Sequence, residues 1–284
     1  MKNILLPTDF SENAFNASSY ALQLFAEDEC TFYLLHTYTP IATNAGMLVN
    51  TYSALQLEEV TRDAAIKGME VLEKKLSKEY PNPKHTFIKI TTFNLLVSEI
   101  VACVKEYNID LIVMGTQGAT GAKEIFLGTH TMFTIKKVKC PVIAVPSGFK
   151  FEPPKEILFA TDYRFFPRNK YFTFLKELCT SHDSKLNLLN AYFGNPLEAD
   201  QLKMKAYLDD YFNQISHLFH IAEGTDIANA IKVFQESHNI NLLVMIHNKH
   251  SFFENLLFKP VINEIVHHTK VPFLVIPSKK KMET

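Results

Sequence analysis

One glycine-rich segment carries the pattern best suited to bind an anionic ligand. Gly115 and Gly118 are followed, after nine intervening residues, by Gly128 and Thr129, and the apolar run 111–114 precedes them all. Glycines lack Cβ atoms, so a ligand can approach their backbone N–H groups closely, and a helix beginning at Thr129 would add the positive end of its dipole. We expect this loop to bind nucleotide phosphates rather than to serve only as a set of turns.

The spacing differs from two familiar nucleotide-binding motifs. A Walker A loop needs Gly-Lys-Ser or Gly-Lys-Thr, and the dinucleotide-binding motif has more closely spaced glycines. Phosphoryl transfer also needs a general base and usually a carboxylate that holds the metal, yet Glu124 is the only acidic residue between Gly118 and Gly128. The pattern therefore favours nucleotide binding over catalysis, with slow ATP hydrolysis as an alternative.

The composition restricts the classes of partner. The chain has 284 residues and carries 29 Lys plus Arg against 30 Asp plus Glu, a net charge of -1, which gives no general attraction for nucleic acid or anionic lipid. No apolar stretch reaches the length of a membrane span, and the four cysteines are widely separated, without zinc or redox spacing. We expect a cytoplasmic protein that binds neither nucleic acid nor membrane.

The chain contains an internal duplication. Three segments of the first half recur in the second: 4–10 at 157–163, 110–114 at 241–245, and 140–146 at 271–277. The offset between the copies falls from 153 to 131 residues, so the second copy is 22 residues shorter. We expect the difference in the loop after the second strand, and a long loop in the first copy would be a flap over the site.

Short apolar runs alternate with amphipathic segments throughout both copies, the pattern of parallel strands covered by helices. In the first copy we predict strands at 2–6, 31–37, 85–91, 110–115 and 141–146, and helices at 12–27, 53–79, 95–107 and 129–137. In the second we predict strands at 156–160, 185–191, 217–222, 240–246 and 271–276, and helices at 167–181, 198–213, 226–238 and 259–269. The expected fold is α/β, with two tandem, Rossmann-like, doubly wound domains of five parallel strands, at 1–147 and 154–278.

Several of these features together resemble the universal stress protein family, in a tandem two-domain form. They are the opening Ile-Leu-Leu-Pro-Thr-Asp-Phe-Ser, the Leu35-His36 pair, the run from Asp110 to Gly115, the glycine loop and the closing Cys-Pro-Val. The resemblance implies ATP, with AMP as the alternative, bound with Mg²⁺ in the first domain, at the carboxyl ends of its first and fourth strands. It also implies a stress-response regulatory or signalling role.

The resemblance carries the family's binding residues onto twelve positions. They are Pro7, Thr8, Asp9, Thr37, Met114, Gly115, Gln117, Gly118, Gly128, Thr129, His130 and Thr131. It implies that the first four contact adenine and ribose, although Thr37 departs from the aliphatic residue usual there. The remaining eight would surround the ribose and phosphates. Asp9 has a second reading as part of a helix N-cap, and both roles can coexist.

The second copy has lost the phosphate-binding pattern. The glycine positions become Ile246, Lys249 and Lys259, and Pro260 replaces Thr129. Side chains would fill the space that a phosphate needs, and proline removes a backbone donor. We expect a degenerate domain that forms a pseudo-two-fold pair with the first by edge pairing of the last strands, 142–145 and 273–276, which would cover two apolar edges.

Three functions remain open on the sequence alone. The first is an ATP-binding regulatory protein whose affinity for an unknown protein partner depends on nucleotide occupancy. The second is a slow ATP hydrolase. The third is a dimerisation scaffold with a vestigial site, and the tandem chain could also form a homodimer. The intact glycine pattern favours the first.

Overall fold

The structure is a computed structural model that describes residues 1–39, 51–116, 128–165, 169–192, 196–225, 227–247 and 270–278. Within them the chain divides into two compact units, one formed by residues 1–116 and 128–140 and the other by residues from 141 onward. Among the described helices, none combines the length and hydropathy that crossing a bilayer requires.

The first unit is a parallel sheet in the order β3-β2-β1-β4. Its strands are β1 (Lys2–Pro7), β2 (Cys30–Tyr38), β3 (His85–Phe93) and β4 (Leu111–Gly115). Its helices are α1 (Glu12–Leu24), α2 (Thr51–Glu79), α3 (Leu96–Glu106) and α4 (Thr129–Lys137). The helix α1 packs with α2, and α3 packs with α4.

The second unit has the strand order β5-β10-β9-β6-β7-β8. Its strands are β5 (Val142–Val145), β6 (Glu156–Ala160), β7 (Lys185–Tyr192), β8 (His217–Glu223), β9 (Leu242–His247) and β10 (Phe273–Pro277). Its described helices are α5 (Phe172–His182), α6 (Ala199–Tyr211) and α7 (Ile227–His238). All neighbouring strands from β10 to β8 are parallel, whereas β5 runs antiparallel to β10.

The central strands form the cores of the two units. Every residue of β4 except Gly115 is buried, as is all of β5, and the side chains of Leu5, Leu34 and Leu243 have no exposed surface. Such strands are apolar on both faces because helices cover both faces of a parallel sheet. This is why short continuous apolar runs located the strands in the sequence.

The predicted alternation of strands and helices is confirmed, and most boundaries agree within two residues. The predicted edge pairing is also confirmed, because Ala144 pairs with Phe273 and Val142 with Val275. The first compact unit ends at Cys140, before β5, whereas the domain boundary predicted from the sequence lies after β5, between 147 and 154. The predicted helix at 259–269 lies outside the described residues.

The location predicted for the length difference between the copies was largely wrong. The helix α2 contains 29 residues and its counterpart α6 contains 13, so this helix accounts for 16 of the 22 residues. The expectation relied on the small polar residues after the second strand, but the amphipathic pattern of α2 extends over several more turns than that of α6. The segment 40–50, where a flap was expected, lies outside the described residues.

Candidate nucleotide-binding site

The first unit has one topological switch point, between β1 and β4. The chain passes from β1 to β2 and β3 on one side, and then returns to place β4 on the other side of β1. In open α/β sheets, ligands bind in the crevice at the carboxyl ends of the strands where this reversal occurs. Pro7 and Gly115 are the last residues of these two strands.

The turn after β1 is held by its own side chains. The Thr8 hydroxyl accepts a hydrogen bond from the Phe10 N–H at 3.0 Å, and Asp9 Oδ1 accepts one from the Ser11 N–H at 3.0 Å. Ser11 is the N-cap of α1, and its hydroxyl accepts from the Ala14 N–H at 3.2 Å. The helix cap is therefore Ser11, whereas Asp9 stabilises the turn before it and has an exposed side chain at the carboxyl end of β1.

Phe10 adopts a left-handed backbone conformation, with φ of 63°. Its ring lies 4.3 Å from the His36 ring, and a Cβ atom at Gly68 of α2 would come within 2.8 Å of it. The His36 Nδ1–H donates to the Thr8 carbonyl at 2.8 Å, so the ends of β1 and β2 are tied together. Half-buried Thr37 follows His36 on β2, next to this contact.

Gly115 has a packing role that its motif did not reveal. A Cβ atom at this position would lie 2.5 Å from Asn13 Nδ2 of α1, so only glycine fits without a shift. The Gly115 carbonyl accepts a hydrogen bond from the buried Thr131 hydroxyl at 2.8 Å. Met114 is buried just before it. The Thr131 side chain therefore connects α4 to β4.

The first turn of α4 has backbone donors without a partner among the described residues. Gly128 is its N-cap and provides no side-chain cap, and the first bond within the helix joins the Met132 N–H to the Gly128 carbonyl. The N–H groups of Thr129, His130 and Thr131 therefore have no acceptor among the described residues. Thr129 and His130 are exposed. The Gly128 N–H donates to the Thr116 carbonyl, which fixes the start of the helix next to the end of β4.

Sequence reasoning missed a buried hydroxyl at this place. Thr116 follows β4 directly, is buried, and its Oγ1 makes no hydrogen bond with the residues that the structure describes. A threonine between two glycines could have drawn attention, but nothing in its type distinguishes a ligand contact from a turn residue. Gln117 and Gly118 lie outside the described residues. Ten of the twelve predicted site residues are described, at the ends of β1, β2 and β4 and the start of α4.

The second unit repeats the turn but not the rest of the site. The Tyr163 N–H donates to the Thr161 hydroxyl at 2.9 Å, and the Arg164 N–H donates to Asp162 Oδ1 at 2.9 Å. Tyr163 also has a positive φ, of 58°, and Asn190 donates to the Thr161 carbonyl where His36 binds Thr8. The turn is therefore a feature of the fold in both copies. Ile246, which is buried, occupies the position of Gly115.

Comparisons with known proteins point to one family. The sequence profile of the universal stress protein family matches residues 1–146 and 169–277. A universal stress protein of Methanocaldococcus jannaschii is 29% identical over 146 residues, which are 51% of this chain and 81% of that protein.

Two solved structures extend the comparison. A universal stress protein from Archaeoglobus fulgidus shares the fold over 98% of this chain and 97% of its own, with a TM-score of 0.67 and 21% identity. Another universal stress protein was solved in complex with cAMP, and it matches 51% of this chain and 96% of its own, with 16% identity and a TM-score of 0.37. The family profile covers most of both halves, and the chain therefore belongs to the universal stress protein family.

Proposed function

We propose that the first unit binds ATP with Mg²⁺ at the carboxyl ends of β1 and β4, and that occupancy of this site regulates the affinity of the chain for a protein partner. The observation that carries the proposal is the open first turn of α4, beside the switch point of the sheet. Three backbone N–H groups and a helix dipole there favour a negatively charged group. Mg²⁺ would be held mainly by phosphate oxygens, as is usual for this ion.

The residues around this turn support a nucleoside triphosphate. The buried Thr116 hydroxyl offers a further hydrogen bond next to the N–H groups of α4. At the carboxyl end of β1, Thr8 and Asp9 present polar groups within a turn that is held by its own hydrogen bonds, and these groups could contact a nucleoside. The absence of an excess positive charge on the chain means that affinity for the phosphates depends on these local donors.

The structure allows one donor to be removed without breaking the helix. Proline is favoured at the first position of a helix, and Gly128 already has the extended conformation that a residue before proline requires, with φ of -55° and ψ of 144°. Thr129→Pro should therefore fold normally while it removes one N–H group. Thr129→Ala is the matched control, because it removes the hydroxyl and keeps the N–H.

Calorimetric titration of ATP, AMP and cAMP into nucleotide-free protein, with and without Mg²⁺, tests the proposal. We expect one ATP per chain, binding weakened about tenfold by Thr129→Pro, as for the loss of a hydrogen bond to a charged group, and a smaller effect of Thr129→Ala. Gly118→Lys should abolish binding. The proposal fails if no nucleotide binds at millimolar concentration, or if Thr129→Pro and Gly118→Lys both leave the affinity unchanged.

A further inference from the structure

A cleft of about 420 Å³ opens in the second unit beside the turn that follows β6. Tyr163 and Phe165 line it from the turn, and Met204 and Tyr207 line it from α6. These four side chains provide three aromatic rings and a thioether. The polar residues that line the cleft are Arg164, Glu198, Asp200, Gln201 and Lys203.

The position of the cleft is one where α/β sheets bind ligands. The strand β6 has β7 on one side and β9 on the other, so the chain reverses its direction across the sheet at β6, as it does at β1. Ligands bind at the carboxyl ends of strands near such a switch point, and the cleft lies at that end of β6, on the side of β7 and α6. The volume also lies in the range of small-molecule sites, roughly 300–1,000 Å³, and their lining is similarly apolar with a few polar groups.

The aromatic walls are held in place by other rings. The Phe165 ring lies 5.5 Å from that of Phe172 and 6.2 Å from that of Phe159, and the Tyr207 ring stacks on that of Tyr211 at 5.8 Å. Gln201 Nε2 donates to the Asp162 carbonyl at 2.8 Å, which ties α6 to the turn. A preformed cleft costs little conformational entropy when it is filled.

The charges around the cleft select neither anions nor cations. Arg164 forms an ion pair with Glu198 at 2.9 Å, and Lys203 lies 3.5 Å from Asp200, so two cations are balanced by two carboxylates.

The Tyr163 hydroxyl is the polar group of the cleft that lacks a partner among the described residues. It makes no hydrogen bond with any of them, although the Tyr163 side chain is almost wholly buried. A ligand with a polar atom would supply that hydrogen bond.

We propose that the second unit binds a neutral, planar aromatic molecule, of about the size of two fused rings, between the turn and α6. Its faces stack on Phe165 and Tyr207, and a hydroxyl or carbonyl substituent forms a hydrogen bond with the Tyr163 hydroxyl. Stacking of this kind adds to the affinity that burial of apolar area provides. The site lies wholly in the second unit and does not depend on nucleotide binding by the first.

The probe for the test is 2-naphthol, titrated into the full-length chain without nucleotide and followed by calorimetry and ligand-observed NMR. We expect one naphthol per chain. Decahydro-2-naphthol has the same skeleton and hydroxyl but no π-face, and should bind at least tenfold more weakly. Naphthalene-2-sulfonate should gain nothing from its charge, because the charges that surround the cleft are balanced.

Two pairs of variants locate the site. Tyr163→Phe removes only a hydroxyl and should weaken naphthol binding about fivefold, whereas Tyr211→Phe, which removes a hydroxyl outside the cleft, should not. Tyr207→Ala removes one wall and should weaken binding at least tenfold, and Leu202→Ala is its control because Leu202 is exposed on the same helix. Circular dichroism checks that each variant folds.

Three results would overturn the proposal. They are the absence of saturable naphthol binding at millimolar concentration, equal affinity for naphthol and its saturated analogue, and equal affinity of the Tyr207→Ala and Leu202→Ala variants for naphthol. A loss of ATP binding by the Thr129→Pro variant with unchanged naphthol binding would support two separate sites.

Discussion

Gly115 combines two requirements in one residue. It belongs to the glycine pattern that predicts a phosphate site, and it also allows Asn13 of α1 to approach the end of β4. The second requirement is a matter of packing and would hold without any ligand. Only coordinates reveal it, because Asn13 is 102 positions away in the sequence and nothing in either residue type predicts the contact.

The packing role of Gly115 leads to a stability prediction. Gly115→Ala places a methyl group 2.5 Å from Asn13 Nδ2, so it should lower the free energy of unfolding by about 1–3 kcal/mol, as overpacking usually does. Urea unfolding followed by circular dichroism measures the change. In the Asn13→Ala background the same substitution should cost clearly less, since the methyl group then has room. Equal costs in both backgrounds would show that steric contact with Asn13 is not the cause.

The cysteines should be protected from thiol reagents. All four are buried and none forms a disulfide, and burial raises the pKa of the Cys30, Cys103 and Cys179 thiols to about 12. The reactive thiolate is therefore scarce at about pH 8, and access is blocked as well. A disulfide reagent should release four equivalents of product from the chain in guanidinium chloride, but none from the native chain over the same time. Rapid reaction of one native thiol would contradict this.

Sequence reasoning was most accurate for the positions of the strands and helices. Buried parallel strands are apolar on both faces, and this pattern located β1 through β10 within a few residues. Helix α4 was predicted at 129–137 and lies at Thr129–Lys137, because a glycine precedes it and two lysines end it. The start of α5 was less well predicted, because it was placed at 167 and the helix begins at Phe172.

A polar network across three strands of the second unit was not predicted. Asn187 of β7 is fully buried, and its Nδ2 donates to Glu156 Oε2 of β6 at 2.8 Å. Its Oδ1 accepts from His220 Nε2 of β8 at 3.0 Å. Burial, together with the nearby His238 and Lys185, lowers the pKa of His220, while Glu156 acts in the opposite direction.

This lowered pKa makes stability depend on pH. The unfolded chain takes up a proton at His220 near the ordinary pKa of 6.5, whereas the folded chain does so only at lower pH, so stability falls as the pH drops below that value. His220→Gln keeps an N–H donor for Asn187 and cannot titrate. It should lose less stability between about pH 7.5 and about pH 5 than the native chain does. Urea midpoints at both pH values provide the comparison, and equal losses of stability in the two proteins would contradict the prediction.

The two copies within the chain have the same architecture but differ in the residues at their candidate binding sites. The turns at Thr8 and Thr161 have the same hydrogen bonds, so the duplication preserved the geometry at the ends of β1 and β6. The sequence revealed this repeat and the loss of the glycines from the second copy. It could not reveal the cleft between that turn and α6, because its walls are residues about 40 positions apart whose types also suit an ordinary core.

Two independent sites predict two separate patterns of protection in hydrogen exchange. ATP with Mg²⁺ should slow exchange at residues 8–10 and 129–132, because bound phosphates would accept hydrogen bonds from α4 and stabilise the first unit, whereas exchange at 161–165 should stay unchanged. Naphthol should slow exchange at 161–165 and in α6 while leaving the start of α4 unchanged. Mass spectrometry of deuterium uptake in the full-length chain measures all four effects in one set of peptides. If ATP slowed exchange equally at both turns, the second copy would have kept a nucleotide site despite Ile246, and the assignment of different ligands to the two units would be wrong.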